Sequence, residues 1–90
     1  MKVEITPVEK VEHVEQVILA LVRTGVALTR VRMGYEVLVA WGKKPNERRY
    51  RTESPNPAEP GRAVFHIDGS TVPLILDPMR PHDVVLEFKV

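Results

Sequence analysis

The chain has 90 residues, a net charge of +1 and no cysteine. That length holds one hydrophobic core and no second one, and the missing thiols exclude disulfides and thiolate-bound metals. No apolar run approaches the length of a membrane span, and no apolar h-region follows Met1-Lys2-Val3-Glu4, so a cytoplasmic protein is the expectation.

Hydrophobic residues make up 43% of the chain and fifteen of them are Val, a load that favours strands. Three side-chain amides, eight prolines and 28% charged residues resemble the composition of thermophile proteins.

Lys2-Val3-Glu4-Ile5 alternates as a short half-buried strand should. A helix is then predicted from Pro7 to Thr24. Thr6 is placed to cap it, Glu9 to complete a capping box and Pro7 to occupy the first helical position. Gly25 supplies the left-handed residue that ends it, with Val26 placed to touch Leu21. Val8, Val11, Val14, Ile18, Leu21 and Val22 recur at helical spacing and form its apolar stripe. Leu19 falls instead on the polar side, beside Glu12, Glu15 and Gln16. It is either a single exposed apolar residue or a contact for a second copy of the chain.

Val26 to Met33 reads as a second strand, with Ala27, Thr29, Val31 and Met33 on one side and Val26, Leu28, Arg30 and Arg32 on the other. Tyr35 to Trp41 reads as a third, and its stretch Val37 to Trp41 is apolar on both faces as a central strand would be. A turn over 42–46 leads to a fourth strand over Arg48 to Thr52. Three prolines and a glycine within 53–61 predict a surface loop. Ala63 to Ile67 and Thr71 to Leu76 are the arms of a hairpin turned at Asp68-Gly69. Pro73 places the second arm at an edge or a bulge. Val84 to Val90 closes the sheet, with Val84, Leu86, Phe88 and Val90 on one face. The expected fold is a single α+β domain over 1–90, one long N-terminal helix packed on a twisted, mainly antiparallel sheet in the order β-α-β-β-β-β-β-β.

The chain carries no phosphate-cradling glycine loop and no nucleophile elbow. Ser54 and Ser70 sit in turn contexts. His13 with Glu9 and His66 with Asp68 could each contribute to a metal site, whereas the adjacent His82 and Asp83 point apart at a strand entrance, and no recognised ligand spacing is present. Neither an enzyme, a cofactor nor a metal is therefore expected.

Charge distribution is the one uneven feature. Residues 23–62 hold nine basic and four acidic groups, while the segments on either side are each net acidic. If the second, third and fourth strands form a meander, Arg30, Arg32, Arg49 and Arg51 lie on flanking strands, with Arg48 beside Arg49 at the start of the fourth. Lys43 and Lys44 then project from one end, with Trp41 as a stacking surface. Cationic groups interleaved with aromatic rings suit single-stranded nucleic acid or RNA. The plain alternative is a solvated face paired with Glu36, Glu47 and Glu53. The first reading is a non-enzymatic interaction domain that associates with itself, as a dimer, through Leu19 or an edge strand. The second is binding of nucleic acid or another polyanion.

Overall fold

In the computed structural model, residues 1–43, 50–53, 63–67 and 70–90 are described. They form six strands and two helices: β1 (Lys2–Ile5), α1 (Val11–Val22), β2 (Ala27–Gly34), α2 (Tyr35–Gly42), β3 (Tyr50–Glu53), β4 (Ala63–Ile67), β5 (Ser70–Asp77) and β6 (Val84–Lys89). The strands make one mixed sheet in the order β1-β6-β2-β5-β4-β3. The β2–β5 pair is parallel and the other pairs are antiparallel. A small α+β fold built on one sheet is thus correct, whereas its single long helix and its strand order are not.

The first correction is the start of α1. Thr6 does not cap it. Its hydroxyl donates to Glu4 Oε1 at 3.4 Å, and the Val8 N–H donates to the His82 carbonyl at 2.7 Å. Val8 is thereby held against His82, and the helix begins only after Lys10, which is extended and makes no side-chain capping bond. A capping box needs helical geometry at once after the cap, and this tertiary hydrogen bond competes with it. The other end is as expected: the helix closes before Gly25, whose φ of 97° lies in the left-handed region.

The second correction is the segment from Tyr35, which is a helix and not a third strand. A short run that is apolar on both faces cannot be assigned by periodicity alone. Here Val37 and Trp41 lie one turn apart and are both buried. Two hydrogen bonds divert the chain: the Gly34 N–H donates to the Asp83 carbonyl at 2.9 Å and the Glu36 N–H to the Pro81 carbonyl at 3.0 Å. A side chain at position 34 would run into the backbone at Arg80 and Pro81, so this close approach requires glycine.

One core joins both helices to the sheet. Val11, Val14 and Ile18 of α1 and Val37 and Trp41 of α2 bury with Leu28, Val31, Met33, Phe65, Val72, Leu74, Val84, Leu86 and Phe88. The Trp41 and Phe65 rings meet edge to face, 5.1 Å between centroids, a favoured geometry for an aromatic pair. The closing strand buries Val84, Leu86 and Phe88 as its alternation predicts, while Val90 is exposed.

The faces of β2 need a correction as well. Its ladder with β6 matches Leu28 to Phe88 but Arg30 to Glu87, so Thr29 is an extra, bulged residue. The bulge brings Leu28 to the core side with Val31 and Met33, and Ala27 and Thr29 are exposed.

Pro73 lies in an interior strand, not at an edge. Its register explains how: Ser70 to Leu74 pair with β4, and the parallel ladder with β2 begins only at Leu74. Pro73 therefore precedes the bonds its missing N–H could not make. The hairpin pairs Ile67 with Ser70. Its Asp68-Gly69 turn, the turn at 44–46 and the loop residues 54–61 lie outside the described residues.

Candidate interaction surface

Because both helices bury into one core with the same sheet residues, the described residues place no helix on the opposite face. Register assigns that open face. One row runs Lys2, Glu87, Arg30 across β1, β6 and β2. The next runs Glu4, Val85, Arg32, Ile75 into β5. Pro73 and Val64 are paired further along. Val85, Ile75 and Val64 are half-buried, and Arg30 and Arg32 are exposed.

Glu87 is shared by two cations, Lys2 Nζ at 3.5 Å and Arg30 Nε at 3.3 Å. Arg80 bonds Glu4 through Nη1 and reaches Asp83 through Nε at 3.5 Å, tying the chain before β6 to β1. Arg32 has no ion pair among the described residues. Lys2, Glu4, Arg30, Arg32, Val85 and Glu87 line a depression of about 210 Å³ on this face. Its walls carry both signs of charge, so it has no strong preference for an anion.

The basic residues picked out by sequence are therefore dispersed. Arg30 and Arg32 do share the open face. Arg51 pairs with His66 in the β3–β4 ladder, and β5 and β4 stand between β3 and β2, so the meander does not exist. At about 4.8 Å per strand, Arg51 is roughly 14 Å across the sheet from the arginines of β2. Lys43 caps the C-terminus of α2, in the helical layer, and is exposed. Lys44, Arg48 and Arg49 lie outside the described residues. Trp41 is 2% exposed and offers no ring to a base, which corrects its assignment as a stacking surface. Leu19 is half-buried on α1.

What sequence reasoning missed is the set Lys2, Glu4, Glu87 and Arg80. The signal was present: charges alternate with apolar residues at period two in both the first and the last strand. Only the antiparallel β1–β6 pairing shows that these charges meet.

Among the described residues, no group of three potential ligands could hold a metal ion, and no helix is long and apolar enough to cross a membrane. Comparison with protein-family models, curated proteins and solved structures finds no match for this chain.

Proposed function

We propose that this chain is a small non-enzymatic interaction domain that associates with itself. The observation that carries the reading is the lopsided sheet. Both helices bury on one face, while the other presents half-buried Val85, Ile75 and Val64 among charges of both signs. Among the described residues, the strands at its two edges, β1 and β3, each have one neighbour. Edges and half-covered apolar surface are what a second copy can bury. Sedimentation velocity over tens to hundreds of micromolar tests it: a species of twice the 10.2 kDa chain mass is expected. A monomer throughout that range refutes it. Leu19→Lys separates two routes. Loss of the dimer assigns the contact to α1, and an unchanged dimer leaves the sheet.

A second reading, binding of single-stranded nucleic acid or another polyanion, is favoured by one observation. Arg32 is exposed beside Arg30 and has no acidic partner among the described residues. Contacts of this kind lose affinity steeply with salt through counterion release. A labelled oligonucleotide titrated at about 50 mM and about 200 mM salt should bind more weakly at the higher salt. No binding at the lower salt removes the reading.

A further inference from the structure

We infer that the edge through which two copies join is β1, paired antiparallel with its own copy about a two-fold axis through Val3. This rests on the self-association proposed above and specifies its partner surface and register.

Backbone phase comes first. Met1 and Phe88 bond each other in both directions, the Met1 ammonium donating to the Phe88 carbonyl at 3.0 Å and the Phe88 N–H to the Met1 carbonyl at 2.8 Å. In an antiparallel ladder such mutually bonded pairs alternate with non-bonded ones. With Lys2 opposite Glu87 and Val3 opposite Leu86, Val3 and Ile5 spend their main-chain groups on β6. Lys2 and Glu4 turn theirs outward, toward the side where no described strand pairs with β1.

A second β1 must therefore match its outward residues to these. Three registers do so. Centring on Lys2 sets two lysines face to face, and centring on Glu4 sets two glutamates face to face. Like charges directly opposite are destabilising. Centring on Val3 sets each Lys2 opposite the partner's Glu4. Both pairs then exchange main-chain bonds, and the two Val3 side chains meet on the core side.

Charge continues across this seam. From one copy to the next the order is Arg30, Glu87, Lys2, then the partner's Glu4 and the partner's Arg80, with every neighbour of opposite sign. Lys2 is 72% exposed at its side chain and free to turn toward a second carboxylate. Short, charged edge strands normally discourage pairing. Here the alternation of Lys and Glu blocks the like-charge registers and favours one. The two sheets would join into one, with all four helices on the same side because the axis is perpendicular to the sheet.

The test uses the absence of native cysteine. In the Val3-centred register the two position-3 Cα atoms form a non-bonded pair about 4.5 Å apart, within disulfide reach. Val3→Cys should therefore cross-link to dimer under mild oxidation. Lys2→Cys should not, since its two copies lie diagonally, about 7–8 Å apart. Charge reversal supplies a second measurement that does not depend on position 3. Lys2→Glu alone and Glu4→Lys alone should each weaken dimerisation about tenfold, from two like-charge contacts apiece. Mixing the two variants should restore a heterodimer, because both facing positions of one chain are then carboxylates and both of the other are cations. A wild-type dimer that neither cross-links at position 3 nor responds to the reversals overturns this register and leaves self-association standing. A wild-type monomer removes both.

Discussion

Gly34→Ala should be among the most damaging single-methyl changes this chain can suffer. The added Cβ would fall on the Arg80 carbonyl oxygen and on the carbonyl of Pro81, closer than real Cβ atoms come to such atoms. The obstacle is backbone, and it is pinned. Asp83 O accepts from Gly34 itself, Pro81 O accepts from Glu36, and Arg80 is clamped to Glu4 and Asp83. Relieving the clash means moving the 80–83 segment off the end of β2. Overpacking costs about 1–3 kcal/mol, and each of the two main-chain bonds given up costs about 1 kcal/mol more. A loss of about 3 kcal/mol or more follows, out of the roughly 5–15 kcal/mol a domain possesses. At about 4–8 °C per kcal/mol for a domain of this size, the melting temperature should fall by about 12–24 °C. Circular dichroism melts measure it, and Trp41 fluorescence in urea gives an independent transition because that ring is buried. Gly42→Ala is the matched control. Its Cβ meets nothing within 4 Å at the end of α2, so it should be neutral or stabilise by up to about 1 kcal/mol. A Gly34→Ala protein melting within about 2 °C of wild type would refute the reasoning, since that is under 1 kcal/mol.

Trp41→Ala should cost about 3–5 kcal/mol, measured by urea denaturation followed by circular dichroism, because it empties the volume between α2 and Phe65. Thr6→Ala should change stability by less than about 0.5 kcal/mol, since the hydroxyl bonds only an exposed carboxylate and caps no helix. A loss near the usual cap value of about 1 kcal/mol would show that α1 starts earlier. Gly25→Val should be clearly destabilising by thermal melt, because a β-branched residue is strained at a φ of 97°.

How much of this was legible beforehand depended on whether the deciding force was local. The stop at Gly25 and the core face of Val84, Leu86 and Phe88 could be read directly. A left-handed cap and a period-two alternation are properties of adjacent residues, and the tertiary structure merely uses them. The arms joined at Asp68-Gly69 pair as their sequence predicts for the same reason. The start of α1 was not legible, although Thr6, Pro7 and Glu9 agree on it. A carbonyl from His82, distant in sequence, takes the Val8 N–H. Tyr35 to Gly42 is apolar enough for either a strand or a helix, and the bonds at Gly34 and Glu36 to the 81–83 segment decide it.

The candidate surfaces follow the same division. That Arg30 and Arg32 share a face is local alternation and was readable. Whether Arg51 joins them was a question of strand order, and inserting β5 and β4 between β2 and β3 separates them. Trp41 looked like a stacking surface until α2 turned it onto Phe65. Conversely, Lys2 and Glu4 looked like two ordinary charges on a short strand. Only the β1–β6 ladder shows which of their main-chain groups face outward and which cations already hold Glu87. Sequence determines what each residue can do at short range. Which distant residue it meets is set by hydrogen-bond pairing and burial across the whole sheet, and no local signal encodes that choice.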